Sequence, residues 1–363
     1  MHTSDPDIPL APTFDYSAWE DDGKLFVFPT ISDAVASGFR RDGVYKIGTL
    51  GVDLLVDGLH RLNADNPAVL VNFSADVSDR ANKRGPFFSG VGIAKGMGMP
   101  LIAVADPSVT YDRKLSLGWY AGNERHPHMA DDIAVLLDGL AMAHGCKLVL
   151  FGGSGGGFAT LNVLSRLTCS ASGLANNPQT SLPWFWGYRV LGYLEQAFPT
   201  IGARLVAQLA DEGIGRSVII SPPAASIDPA KRARLSVLLS EALAEAGVTY
   251  NVTDVVPADG ALIYLQNRDD WHIKPHSVPF MQSGTWRRVG RRSFASTDRH
   301  AAIYFGAWGE GHYAPPKPVI VEALSALRDG VPVGPFVAKL DAQDDGLDPS
   351  EFDSANLKPN NVL

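Results

Sequence analysis

Hydrophobic positions in this chain follow two different rhythms. Before residue 60, short apolar segments at 25–28, 43–47 and 52–56 are separated by turns. Their hairpin-like spacing predicts antiparallel strands that feed one edge of a sheet. From residue 67 onwards, uninterrupted apolar runs alternate with stretches of helical periodicity, which is typical of buried parallel strands and the helices that cover them. We therefore expect an α/β fold with a doubly wound, mostly parallel sheet.

The elements predicted after residue 67 lie on both sides of a glycine-rich turn. Strands are expected at 68–71, 101–104, 148–151, 172–175, 261–265 and 301–305, and helices at 130–144, 158–167 and 319–327. The alternation breaks between 181 and 257, where amphipathic helices such as 232–246 follow one another. We interpret this part as an inserted helical cap, or lid, over the carboxyl edge of the sheet. Ordinary helical packing on a sheet face is the alternative.

These patterns divide the chain into four parts. We assign 1–66 to N-terminal strands that join the sheet edge, 67–180 and 258–335 to the α/β core, 181–257 to the cap, and 336–363 to a polar C-terminal tail. Because the tail is acidic and polar, we expect it to be extended or disordered.

Composition removes several classes of function. The chain has 363 residues and a net charge of −8, without a basic block, so we expect no nucleic-acid partner. The short arginine patch at 287–292 is interpreted as a solvated helix or loop face. No apolar run is long enough to span a bilayer, and the N-terminus lacks the features of a secretory signal. Two cysteines make no disulfide framework, so we expect a soluble, cytoplasmic protein and leave its oligomeric state open.

The run 147–157 combines an apolar strand, a turn of five glycines around one serine, and the start of a helix. Within it, Gly152-Gly153-Ser154-Gly155-Gly156 matches Gly-x-Ser-x-Gly. A serine on such a sharp strand-to-helix turn is forced into a strained conformation that exposes its hydroxyl. Serine acyl-transfer chemistry requires this geometry, so Ser154 is the candidate nucleophile.

A serine hydroxyl needs a base at neutral pH, and histidine has the suitable pKa. His312 follows the strand predicted at 301–305 through a glycine-rich loop, which we expect to be mobile enough to reach the serine. The strand at 261–265 leads into Asp269 and Asp270, one of which should orient the imidazole. We prefer Asp270, and we expect Asp269 to meet solvent or to pair with Arg268.

The negative charge of a tetrahedral intermediate is usually met by two backbone N–H groups. The first is expected from Gly155, and the second from Ser74 or Phe73 in the loop after the strand at 68–71. An aromatic group is a candidate for lining the substrate site, with cap packing as the equal alternative; its members are Trp184, Trp186, Tyr188 and Trp271.

Metal and phosphate chemistry find little support. His272 and His276 have a metal-binding helical spacing, but Pro275 lies between them, so structural or substrate-lining roles are favoured. The glycine-rich turn lacks a complete Gly-x-Gly-x-x-Gly and a Walker lysine, which argues against a nucleotide. We therefore expect no metal and no cofactor.

The elbow at 152–156 and the order Ser154, Asp270, His312, each after its own strand, resemble the α/β-hydrolase-fold serine hydrolases. The resemblance covers roughly 67–180 and 258–330. It implies an eight-stranded, mostly parallel sheet, a catalytic triad, an oxyanion hole and often a cap after the sixth strand. The chain departs from the family at Asn72-Phe73, where His-Gly is usual, and at Gly153, where many members carry a larger residue.

The function expected from these residues is hydrolysis of an ester, before an amide or peptide, in a small-molecule acyl substrate. An acyltransferase with the same triad is the first alternative, because both enzymes form the same acyl-serine. A non-catalytic binding protein on a hydrolase fold is the second.

Overall fold

The computed structural model describes residues 14–48, 51–65, 67–110, 115–220, 228–255, 257–298 and 300–343. The strands are β1 (Leu25–Phe28), β2 (Gly43–Ile47), β3 (Val52–Asp57), β4 (Ala68–Phe73), β5 (Leu101–Val104), β6 (Lys147–Gly153), β7 (Ala171–Asn176), β8 (Leu262–Asn267), β9 (Trp286–Arg288), β10 (Ser293–Ser296) and β11 (Ala301–Gly306).

The helices are α1 (Ser17–Asp21), α2 (Ile31–Ala36), α3 (Val91–Met97), α4 (Met129–His144), α5 (Gly155–Leu164), α6 (Gly187–Ala197), α7 (Pro199–Asp211), α8 (Arg216–Ile220), α9 (Pro229–Glu245), α10 (Val278–Gln282), α11 (Lys317–Arg328) and α12 (Val333–Gln343). Short 3-10 turns cover Leu59–Arg61, Arg80–Asn82, Pro107–Thr110 and Leu182–Trp184, and a π-helical turn covers Ile273–Ser277.

All these strands form one sheet in the order β1-β2-β3-β5-β4-β6-β7-β8-β11-β10-β9. The run from β5 through β4, β6, β7 and β8 to β11 is parallel throughout. Alternate residues of β4 face opposite cores: Val69 and Val71 pack with α4 and α5, whereas Leu70 packs with α3 and α11. The sheet is therefore covered by helices on both faces, and the prediction of a doubly wound, mostly parallel sheet is confirmed.

The N-terminal strands are not all antiparallel, as their spacing had predicted. The strands β2 and β3 form an antiparallel pair, but β1 pairs with β2 in parallel. The reason is the short helix α2, which returns the chain across the sheet so that β2 runs in the same direction as β1. Thr30 accepts a hydrogen bond from the Asp33 N–H and starts this helix.

The C-terminal prediction is wrong for its first part. Residues 333–343 form α12 instead of an extended tail, because Phe336, Val337 and Leu340 form an apolar face that packs on the sheet. The remaining positions of the predicted tail, 344–363, lie outside the described residues. The arginine patch is likewise not simply solvated, since Arg292 is buried beside the carboxylate of Asp341.

In the described part of the chain between β7 and β8, four helices, α6 to α9, pack against one another. They occupy the part of the chain interpreted as a cap. No helix in the described ranges is both long enough and apolar enough to cross a bilayer.

Candidate active site

The turn between β6 and α5 holds Ser154 at a φ of +52° and a ψ of −118°. Positive φ is strained for a residue with a side chain, and the surroundings must enforce it. A Cβ on Gly152 would lie 2.2 Å from the carbonyl oxygen of Gly156, and a Cβ on Gly153 would lie 2.6 Å from Nδ2 of Asn176. Larger residues would therefore collide with α5 or β7, which explains the glycine directly before the serine.

Asp270 and His312 lie side by side at the carboxyl ends of β8 and β11. Nδ1 of His312 is 2.7 Å from Oδ2 of Asp270. The Asp270 side chain is fully buried, and that of His312 is 35% exposed. By contrast, the Asp269 side chain is 47% exposed, and its carboxylate lies 3.6 Å from the guanidinium of Arg268. The geometry thus pairs the histidine with Asp270.

The loop that carries His312 is fastened at several points, although its glycines had predicted mobility. Nδ2 of the buried Asn267 donates to the carbonyl oxygens of Gly309 and Gly311, at 2.7 and 2.6 Å. Asn177 donates at 2.8 Å to the main-chain carbonyl of the residue that follows the histidine. These bonds fix the position from which the imidazole reaches over the sheet edge.

A second imidazole contacts the same carboxylate. Nδ1 of His272 lies 3.0 Å from Oδ2 of Asp270 and 2.7 Å from Nδ1 of His312. The main-chain N–H of His272 also donates to Oδ1 of Asp270, at 3.0 Å. Nε2 of His272 is buried without a hydrogen-bond partner in the described part of the chain. Sequence reasoning gave His272 a structural or lining role and missed its contact with the acid.

The electrostatics of this group leave one negative charge among imidazole rings. Burial alone raises the pKa of Asp270, but hydrogen bonds from His272 and His312 outweigh it and hold the pKa well below its usual range. Burial lowers the pKa of His272 to about 4 despite the nearby carboxylate. Burial also places the pKa of His276 well below its usual value. At neutral pH, Asp270 is therefore an anion, and both buried histidines are neutral.

The same three side chains could hold a metal ion, because Asp270, His272 and His312 each present a ligand atom within 4.8 Å of the others. Their separations are already explained by the hydrogen bonds of both imidazoles to the Asp270 carboxylate. The expectation of no metal therefore stays a prediction.

The hydroxyl of Ser154 forms a hydrogen bond with Gln179 and, among the described residues, none with His312. Nε2 of Gln179 donates to Oγ of Ser154 at 3.0 Å, and the indole N–H of Trp119 donates to Oε1 of Gln179. Both Gln179 and Trp119 are fully buried. Sequence reasoning identified neither residue, since neither belongs to a motif.

The predicted oxyanion donors differ in availability. Gly155 occupies the first turn of α5, where main-chain N–H groups have no helical acceptor. The Ser74 N–H instead donates to the hydroxyl of Tyr120, at 2.7 Å. Phe73 is the last residue of β4, paired with strands on both sides.

The aromatic residues at 184–188 and 271 divide into a packed set and a partly exposed set. The ring of Phe185 stacks on Trp271 at 5.7 Å and on His272 at 5.9 Å, and Trp186 meets Trp271 edge-on. Trp184 and Tyr188 are 45% and 39% exposed. The packed rings form an apolar wall over the buried histidines.

A cavity of about 610 Å³ adjoins the elbow on the side of the loop after β4. Gly153 and Asn176 line it beside the serine, Ser74 and Ala75 line it in the loop after β4, and Ala314 lines it beside the loop that carries His312. Phenylalanines contribute much of the remaining wall: Phe73, Phe87, Phe88 and Phe151.

Neither protein-family profiles nor curated protein sequences match the chain. Solved structures do. Candida antarctica lipase A in its closed state is 15% identical, with 77% of this chain and 73% of that chain covered and a TM-score of 0.45. The capsule O-acetyltransferase of Neisseria meningitidis serogroup A is 13% identical, with 79% and 91% covered and a TM-score of 0.41. The monoacylglycerol lipase of Paleococcus ferrophilus is 14% identical, with 71% and 94% covered and a TM-score of 0.37.

Because these similarities are weak, the fold assignment rests on the sheet itself. In its parallel centre, β4 lies between β5 and β6, so the chain crosses over from β5 to reach β6 on the other side of β4. The strained serine follows β6 directly, at the start of α5. A strand–serine–helix elbow on such a sheet is the hallmark of the α/β-hydrolase superfamily. The described sheet and elbow therefore have the fold that the resemblance to the α/β-hydrolases implies.

Proposed function

We propose that this protein is a serine hydrolase that cleaves a carboxylic ester through an acyl-serine intermediate. The observation that carries the proposal is the strained Ser154 elbow at the same sheet edge as the Asp270–His312 pair. Strain in a serine backbone and a buried carboxylate paired with a half-exposed imidazole are costly features. A binding module has no need of them together.

In the proposed reaction, Oγ of Ser154 attacks the ester carbonyl while Nε2 of His312 takes the hydroxyl proton. The Asp270 carboxylate holds the other ring nitrogen and stabilises the imidazolium that forms. The main-chain N–H of Gly155 donates to the oxyanion. As the intermediate collapses, His312 returns the proton to the departing alkoxide, and water repeats these steps to release the acid.

In the resting structure, Oγ of Ser154 bonds to Gln179, and the described residues show no hydrogen bond between Oγ and His312. Catalytic hydrogen bonds often tighten only when substrate is bound. The substrate therefore completes the contact between nucleophile and base in this proposal. We place its acyl or alcohol group in the 610 Å³ cavity beside the elbow.

Active-site labelling tests the proposal. A fluorophosphonate probe should label the native chain and not Ser154→Ala, and p-nitrophenyl esters of two to twelve carbons should be cleaved faster than the matching anilides. Equal labelling of both proteins would contradict the nucleophile. Formation of a new ester when an alcohol is added would identify the acyltransferase instead, since the acyl-serine then passes to the acceptor.

A further inference from the structure

We propose that Gln179 is a further catalytic residue whose side-chain N–H donates to the oxyanion formed at Ser154. The inference rests on the proposed function and adds a donor that no motif in the sequence indicates. It follows from the contact of Gln179 with the nucleophile, from the orientation of its amide, and from the occupation of a neighbouring backbone donor.

The orientation of the amide is fixed by its partners. An indole N–H is a donor only, so the side of Gln179 that faces Trp119 must be its carbonyl oxygen. The amide nitrogen then faces Oγ of Ser154, at 3.0 Å. This nitrogen has two N–H groups, and among the described residues only one acceptor, Ser154, is provided for them. One N–H thus remains for an oxygen that arrives beside Oγ.

The position of the pair suits an oxyanion. A Cβ on Gly155 would lie 3.3 Å from Cδ1 of Trp119, so the Trp119–Gln179 pair flanks the residue whose main-chain N–H is the first donor. The carbonyl oxygen of a bound ester becomes, in the tetrahedral intermediate, a close neighbour of Oγ. A nitrogen within hydrogen-bond distance of Oγ is therefore also near that oxygen.

The loop that presents Trp119 is built under strain. Trp119 and Tyr120 have φ values of +57° and +55°, a conformation that is rare for bulky residues. The buried carboxylate of Asp106 holds them there by accepting from the N–H groups of Gly118 and Tyr120, at 3.1 and 3.3 Å. Strain of this kind is kept at functional sites.

The same loop removes one competitor for the role. The hydroxyl of Tyr120 accepts from the Ser74 N–H and donates to the carbonyl oxygen of Val104. Consecutive side chains of one strained segment therefore occupy the Ser74 donor and orient the Gln179 donor. A hydrogen bond that strengthens as charge develops on the oxyanion lowers the barrier without tightening substrate binding. Its loss should therefore reduce kcat and leave KM unchanged.

The experiment compares Gln179→Met with the native enzyme and with Thr180→Val. Thr180 is the next residue and is equally buried, but its hydroxyl bonds the His276 carbonyl and not the nucleophile. With p-nitrophenyl acetate, we expect Gln179→Met to lower kcat by about 10²–10³-fold with KM within about threefold. Affinity for phenylboronic acid, which forms a tetrahedral anion on serine, should fall in proportion, and Thr180→Val should change neither.

Two results would overturn the inference: unchanged kcat in a folded Gln179→Met, or a fall in kcat while boronate affinity stays native, which would assign only a positioning role. If Gln179→Met does not fold, Trp119→Phe keeps the amide but releases its orientation. It should lower kcat and boronate affinity together, and native values would contradict the proposal. If the native chain itself neither hydrolyses esters nor takes up a fluorophosphonate, the proposed function has failed, and not the assignment of Gln179.

Discussion

Replacing one of two adjacent aspartates should nearly abolish ester hydrolysis, and replacing the other should do almost nothing. Asp270→Asn removes the carboxylate that lies 2.7 Å from Nδ1 of His312. Asp269→Asn removes a carboxylate that is about half exposed and 3.6 Å from Arg268. The two changes are chemically identical and one residue apart, so they form a matched pair.

The size of the difference follows from the charge of the buried group. Hydrogen bonds hold the pKa of Asp270 well below its usual range, against the effect of burial, so the group is an anion at neutral pH. Asparagine offers no charge to stabilise the imidazolium of His312 and can favour the wrong tautomer. In triads, this change lowers kcat by about 10⁴-fold, or about 5.5 kcal/mol. An exposed pair such as Asp269–Arg268 contributes roughly 0–1 kcal/mol to stability and none to the barrier.

The assay is kcat for p-nitrophenyl acetate at pH 8, with thermal unfolding to show that each variant is folded. We expect Asp270→Asn to retain about one part in 10⁴ of the native kcat, and Asp269→Asn to lie within twofold of it. The reasoning is refuted if Asp269→Asn is the damaging change, or if folded Asp270→Asn keeps more than a tenth of the activity.

Three further changes test the physical account of the fold and site. Gly152→Ala places a methyl group 2.2 Å from the carbonyl oxygen of Gly156, so it should lower the free energy of unfolding, measured in urea, by about 3 kcal/mol and abolish fluorophosphonate labelling. A urea midpoint equal to that of the native protein would contradict this prediction. Burial raises the pKa of Asp53 to about 7, so the neutral carboxyl contributes stability that is present below about pH 4 and lost as pH rises to 7. Asp53→Asn should therefore be more stable than the native protein at pH 8, by up to about 4 kcal/mol, and no more stable at pH 4. Burial lowers the pKa of His272 to about 4, so the neutral imidazole contributes stability that is present above about pH 6.5 and lost as pH falls towards 4. Over that pH range, His272→Phe should lose up to about 3 kcal/mol less unfolding free energy than the native protein. An unchanged pH profile would argue against a buried neutral imidazole.

The parts of the fold that could be predicted are those that local patterns determine. The strand–serine–helix elbow is written in consecutive residues, and the continuous apolar runs of β4, β6, β8 and β11 require burial on both faces. The direction of β1 depended on whether a six-residue segment, Ile31–Ala36, forms a helix or a turn, which spacing alone does not determine. Helix α12 was missed because a few apolar residues at helical spacing are diluted by an acidic sequence around them.

In the candidate site, too, local patterns predicted some residues, and contacts between distant parts of the chain determine the others. Asp270 and His312 each follow a strong strand, so their order along the chain predicted that they meet at one sheet edge, and the structure places them 2.7 Å apart. Gln179, by contrast, depends on Trp119, 60 positions away, and is recognised only through that contact. His272 reaches the acid from two positions along the chain, but it is the contact with His312, across 40 positions, that places it among the ring nitrogens.

The hydrogen bond from Gln179 to Ser154 takes its direction from one residue that can only donate. The Trp119 indole donates to Gln179, so the Gln179 amide nitrogen donates to Ser154, and this nitrogen has no lone pair with which to accept the serine hydrogen. The hydroxyl hydrogen is therefore left for another acceptor, and Nε2 of His312 is the base that the proposed reaction requires. That nitrogen is free to accept only if the proton of the neutral ring lies on Nδ1, which the anionic Asp270 favours by accepting from it at 2.7 Å. A buried indole on one side and a buried carboxylate on the other would thus orient the same serine hydroxyl, and the loss of either should be felt at the nucleophile although only Gln179 and His312 stand between.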